Sequence, residues 1–100
     1  MTAFTDRFAR FRTATAAALL DGDGATPSAT RHAIADGAAL ADLKTLVDKI
    51  RSRAYTVTDA DVDALRRQYT EDQLFEIIVA AAFGAAAERL AAARKALEEA

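Results

Sequence analysis

The chain has 100 residues and a formal net charge of −2, so it is long enough for one domain and lacks the basic excess typical of nucleic-acid binding. It contains no cysteine, which excludes disulfides, thiolate metal sites and thiol catalysis. Apolar residues make up 52% of the chain, but many are alanines, which bury little surface each. We therefore expect a modest core that a second subunit would help to complete.

The first predicted helix covers residues 5–20. Phe4, Phe8 and Phe11 recur at i, i+4 and i+7, which places them on one helical face. Such an aromatic face is usually a core contact, within the chain or with a second subunit, and a ligand platform is the alternative. We assign these three residues to an oligomer interface. The apolar run that follows them is only about eight residues, at the low end for a signal peptide, and Asp6 lies in the basic part before it, so we expect a cytoplasmic protein.

The next break, residues 21–28, contains two glycines, two aspartates and the only proline. Its Asp-x-Asp spacing resembles the start of a calcium loop. The template then requires glycine where Thr26 stands and glutamate where His32 stands, so we predict no calcium site. His32 and Asp36 lie four residues apart and are expected to form a surface pair. No metal site is predicted.

Three shorter helices are predicted over residues 28–36, 38–52 and 59–68. The second of these carries an apolar stripe made of Leu40, Leu43, Val47 and Ile50. Arg51 and Arg53 gather near its carboxyl end, where cations suit the helix dipole and could also hold an anion. Tyr55 lies in the connection that follows. No alternating strand pattern occurs.

Residues 70–100 are predicted to form one long helix, with Thr70 and Gln73 as a capping box. Residues 77–87 include no polar side chain on any face. A helix that is apolar all round needs cover all round, from its own chain or from another subunit. A single copy that leaves one flank of residues 77–87 open to solvent would contradict this expectation.

Two residues of the long helix need separate explanation. Gly84 costs about 1 kcal/mol relative to alanine in a helix, which indicates a close helix crossing, with room for a ligand as the alternative. We assign Gly84 and the adjacent Phe83 to the oligomer interface. Glu76 borders the uncharged segment and would act as an acid or base if burial raised its pKa, or would pair with an arginine.

Residues 57–90, VTDADVDALRRQYTEDQLFEIIVAAAFGAAAERL, resemble the carboxymuconolactone decarboxylase/alkylhydroperoxidase D-like superfamily. The shared features are a helix, a short turn, a threonine cap followed by acids, and an alanine-rich helix. The resemblance implies an all-α, single-domain bundle of about five helices around a long carboxy-terminal helix. Residues 1–28 would then be a candidate oligomer arm, and residues 29–100 the family-like core.

The redox-active branch of that superfamily carries Cys-x-x-Cys and a histidine, which would fall near Arg53, Thr56 and Ala60. None of these side chains can replace a thiolate that attacks peroxide or a thiol that resolves the sulfenic acid. The resemblance thus implies the fold and oligomerisation without peroxidase activity, and no cofactor is expected.

Two functions follow. The first is a redox-inactive, non-catalytic homo-oligomer that binds a partner protein or a small ligand, without nucleic-acid or membrane partners. The second is a thiol-independent lyase like the lactone-decarboxylase branch. Its candidate residues would be Glu76 as acid or base, Tyr55 or Tyr69 as hydrogen-bond donor, and Arg51 or Arg53 to hold a substrate carboxylate.

Overall fold

Helices make up nearly all regular structure of the chain, and the longest lies at its carboxyl end. The computed structural model describes residues 2–39 and 41–100, with the backbone alone for residues 2–6 and 8. The elements are α1 (Thr2–Ala16) continued by a π-helical turn (Ala17–Asp21), α2 (Ser28–Ala35), α3 (Lys44–Arg53) continued by a 3₁₀ turn (Ala54–Thr56), α4 (Asp59–Asp63) and α5 (Glu71–Glu99). No strand occurs in the described residues. The predicted all-α fold with a long carboxy-terminal helix is confirmed.

Side-chain caps determine where α4 and α5 begin. The Thr70 hydroxyl accepts a hydrogen bond from the Gln73 N–H at 3.1 Å, and the Gln73 side chain accepts one from the Thr70 N–H at 2.9 Å. Thr58 and Asp61 form the same reciprocal arrangement at α4. Each capping box satisfies two backbone donors that the helix itself leaves unpaired. The capping box predicted at Thr70 is therefore confirmed.

The core lies where α2 and α3 pack side by side on α5. Its largest fully buried side chains are Ile34 of α2, Leu43 directly before α3, Leu46 and Val47 of α3, and Ile77 of α5. Ala80, Ala81 and Ala85 form the α5 side of this contact and are buried as well. Small side chains on α5 let two helices approach it closely, which compensates for the limited area that alanine buries.

Gly84 marks the point where the end of α2 meets α5. A Cβ added there would overlap the Ala35 carbonyl oxygen and would lie 2.6 Å from the Ala35 carbonyl carbon. The prediction of a close crossing at Gly84 agrees with this geometry. Gly84, which we assigned to an oligomer interface, is buried in the single chain, where it faces the end of α2.

The third helix begins six residues later than predicted. Gly37, at a φ of +89°, ends α2, and the N–H groups of Gly37 and Ala38 donate back to the carbonyls of Ile34 and Ala33. This Schellman motif reverses the chain direction, residues 41–43 form a turn, and α3 starts at Lys44. Leu40, predicted on the apolar stripe of this helix, lies outside the described residues.

The chain does not enclose α5. Within residues 77–87, Ala82 and Ala86 are exposed and Val79 is half-buried, so one flank of the helix is open. The expectation of complete cover is therefore wrong for the single chain. The chain is also less compact than a closed domain would be, since its radius of gyration is 15.0 Å, against about 13 Å for a compact domain of this length.

Gly84→Ala should lower the free energy of unfolding by about 1–3 kcal/mol, because the new methyl group would press on the backbone of Ala35. Urea denaturation measures this. Ala92→Gly, at an exposed position of the same helix, serves as the matched control and should cost about 1 kcal/mol. A Gly84→Ala variant more stable than the parent would contradict the close crossing.

Candidate functional site

Glu76 binds the loop that precedes α2. Its two carboxylate oxygens accept hydrogen bonds from the N–H groups of Ala25 at 2.7 Å and Thr26 at 3.0 Å. Gly24 makes room for this carboxylate, since an added Cβ would lie 3.0 Å from the Glu76 Cδ. Of the two predicted roles, pairing with an arginine is wrong. The carboxylate holds a loop backbone, which is a structural contact.

The two tyrosines lie in different surroundings. The Tyr69 hydroxyl donates to Asp42 at 2.8 Å, and partial burial together with that hydrogen bond raises the pKa of Tyr69. Tyr55 is exposed on the 3₁₀ turn after α3. Tyr69, predicted as a hydrogen-bond donor to a substrate, thus donates to a side chain of the same molecule.

Arg51 joins α3 to both of its neighbours. Its Nη1 donates to the Ala35 carbonyl at 2.5 Å, and its Nη2 forms an ion pair with Glu88. Arg53 is exposed at the end of α3. Glu76 and Glu88 are twelve residues apart on α5, a separation of about 18 Å along the helix. Arg51 and Glu76 are thus committed to contacts at separate places and do not form one pocket.

Arg31 is the buried charge that sequence reasoning missed. Its side chain is 5% exposed, and its guanidinium donates to the carbonyls of Thr26 at 3.0 Å, Leu19 at 3.1 Å and Gly22 at 2.5 Å. A buried cation needs such hydrogen bonds, because burial removes its water. The sequence does contain a sign of this burial, because Arg31 lies three residues before Ile34 and so lies on the same buried face of the helix.

His32 pairs with Asp21 and not with Asp36 as predicted. The distance between His32 Nε2 and Asp21 Oδ1 is 2.7 Å, and the Ser28 hydroxyl donates to the same oxygen at 2.8 Å. The hydrogen bond from His32 is the main cause that lowers the pKa of Asp21, and the one from Ser28 adds to it. This exposed cluster attaches the start of the loop to α2.

The described residues include no group of three or more His, Asp or Glu side chains placed to hold a metal ion. Nor does any helix in residues 2–39 and 41–100 have both the length and the apolar character that a membrane span needs.

One flank of α5 forms a continuous apolar surface, which we name the α5 stripe. It consists of Phe75, Val79, Ala82, Ala86, Leu90, Ala93 and Leu97. Phe75 is 68% exposed, Leu97 63% and Leu90 39%, and the three alanines are exposed as well. The stripe spans 23 residues of α5 and contains no charged side chain. Contiguous exposed apolar surface of this kind marks an interaction site more often than single exposed residues do.

α1 lies beside the stripe and adds an aromatic side chain to it. Phe11 is 72% exposed and lines an open groove of about 210 Å³ together with Phe83 and Leu90. Phe11 and Phe83, both predicted at an interface, therefore border the same groove. The side chains of Phe4 and Phe8, predicted with them, lie outside the described part of the chain. α1 thus extends the apolar surface of α5.

The exposed area shows how much surface is available. The chain has an accessible surface of 6714 Å², whereas a compact monomer of 10.6 kDa has about 5,500 Å². The excess is about 1,200 Å², and a standard protein interface buries about 800 Å² per partner. The whole chain, polar atoms included, therefore exposes more additional surface than one standard interface buries per partner.

No known family model, curated protein or solved structure matches this chain.

Arg31→Lys should lower the free energy of unfolding by about 2 kcal/mol or more. Lysine keeps the charge but cannot donate to three separate carbonyls, and one charge-assisted hydrogen bond contributes about 1.5–3 kcal/mol. Arg67→Lys is the matched control at an exposed position. Equal effects of the two substitutions on urea unfolding would contradict the role given to Arg31.

Asp21→Asn should reduce stability at neutral pH and have less effect in acid. The folded-state pKa of Asp21 is lowered from its ordinary 3.8, so its stabilisation is complete above that value and disappears as the pH falls through the folded value. Urea midpoints measured between about pH 6 and pH 2 test this, with Asp23→Asn as control. A constant difference between Asp21→Asn and the parent chain down to the lowest pH would contradict it.

Proposed function

We propose that the protein is a helical homo-oligomer that acts by binding a partner protein or small ligand, without catalysing a reaction. The observation that carries this proposal is the α5 stripe, an uninterrupted apolar flank on the longest helix. The exposed apolar side chains of the stripe support it, because association would remove their apolar surface from water. Closed homo-oligomers are the commonest way to cover such a surface.

The contacts of the candidate catalytic residues favour binding over catalysis. A lyase of the kind considered above would need Glu76 and an arginine to face one substrate. Glu76 is occupied by the N–H groups of the loop before α2, and Arg51 by Ala35 and Glu88. A general acid or base must lie within hydrogen-bond reach of the proton it moves, and a shared substrate cannot bridge these two sites.

The proposal includes membership of the carboxymuconolactone decarboxylase/alkylhydroperoxidase D-like superfamily as a redox-inactive branch. Its support is the motif of residues 57–90, in which a capped helix, a turn and a second capped helix follow one another. A cytoplasmic location is also part of the proposal.

Ala86→Glu should raise the dissociation constant of the oligomer at least tenfold, since a charge at the centre of the α5 stripe would lose its water on association. Light scattering coupled to size exclusion, over a range of protein concentrations, measures this. Ala92→Glu places the same charge on an exposed position outside the stripe and serves as the control. A parent chain that stays a folded monomer throughout would overturn the proposed function.

A further inference from the structure

We propose that the α5 helices of two copies pair in antiparallel orientation, with Ala86 of each copy facing the other at a two-fold axis. This inference rests on the proposed homo-oligomer and adds its geometry. The occupant of the α5 stripe is then a second copy of this chain, and the stripe is its own complement.

The spacing of the stripe favours self-pairing. Its residues follow one another at intervals of 4, 3, 4, 4, 3 and 4, so that Phe75, Ala86 and Leu97 are each eleven residues apart. An eleven-residue repeat corresponds to 3.67 residues per turn, which keeps the stripe nearly parallel to the axis of a straight helix. The series of intervals also reads the same in both directions from Ala86. An antiparallel copy therefore meets the stripe in register along its whole length.

The sizes of the side chains fit the antiparallel arrangement better than a parallel one. Antiparallel pairing sets Ala82 against Leu90 of the second copy and Val79 against its Ala93, so that a small residue faces a larger one. Ala86 meets Ala86 at the centre, where the two backbones can approach closely. Parallel pairing would set Leu90 against Leu90 and alanine against alanine, which produces alternate collisions and gaps. Antiparallel helix dipoles also attract each other.

The available surface is sufficient for this contact. The stripe runs for about 33 Å along α5, and Phe11 of α1 borders it near Ala86 and Leu90. The molecule is only 18 Å across in its thinnest direction, so the stripe is not hidden in a thick globule. The whole chain, polar atoms included, exposes about 1,200 Å² more than a compact monomer, against roughly 800 Å² per partner in a standard interface.

Single cysteines test the register, because the natural chain has none and each introduced thiol is unique. Ala86→Cys should form a disulfide-linked dimer under mild oxidation, since its two Cβ atoms would lie near the 3.5–4.5 Å that a disulfide needs. Ala93→Cys alone should not, because antiparallel pairing separates its two copies by about 21 Å. A mixture of Val79→Cys and Ala93→Cys should form the mixed disulfide. Ala92→Cys, exposed and outside the stripe, is the control.

The expected result is disulfide formation on the order of 100-fold faster for Ala86→Cys than for Ala92→Cys, as for thiols held at millimolar effective concentration. Light scattering on the same samples under reducing conditions tests the homo-oligomer separately from the antiparallel register of α5. A dimer in which Ala93→Cys links to itself would overturn the antiparallel register and leave the homo-oligomer intact. A dimer that no stripe cysteine links would overturn the use of α5. A reduced chain that is monomeric at every concentration would overturn both.

Discussion

The main constraint on the structure is that α5 is much longer than the two helices that cover it. α5 has 29 residues and is about 43 Å long, whereas α2 with 8 residues and α3 with 10 reach about 12 and 15 Å. Two short helices can cover only part of the length and one side of such a helix. The buried residues of α5 accordingly end at Ala85, and Leu90 and Leu97 are exposed. The fold completes a core around half of α5 and leaves the other half without cover.

The loop before α2 adds polar contacts to the small apolar core, because both its carbonyl and its N–H groups bind charged side chains. Its carbonyls, from Gly22 and Thr26, accept from Arg31 on one side, and its N–H groups, from Ala25 and Thr26, donate to Glu76 on the other. Charge-assisted hydrogen bonds are stronger than neutral ones, so an irregular segment with little apolar surface is held in one conformation. The loop thereby links α2 to α5 beyond the apolar contact between them.

The sequence predicted features that depend on neighbouring residues and missed those that depend on distant ones. The capping box of Thr70, the length of α5 and the close approach at Gly84 follow from local chemistry or from the cost of one glycine, and each agrees with the structure. The partner of Glu76 lies about fifty residues away in a loop, and no local pattern connects them. The prediction began α3 at residue 38 because Ala38 to Leu43 include no helix-breaking residue. The Schellman motif at Gly37 reverses the chain there, so the helix begins only at Lys44.

Alanine gives the two sides of α5 different energetics. On the buried side, alanines contribute to stability by letting α2 and α3 approach α5 closely, and the larger side chains of α2 and α3 fill the space above them. On the exposed side, Ala82, Ala86 and Ala93 contribute nothing of this kind until another surface approaches equally closely. Burial of apolar area is the main source of stability, and this chain leaves the large apolar side chains of Phe75, Leu90 and Leu97 exposed on α5. Any partner that binds only the folded state then adds to its stability by mass action. If that partner is a second copy, the stability of the folded state should increase with the concentration of the protein itself.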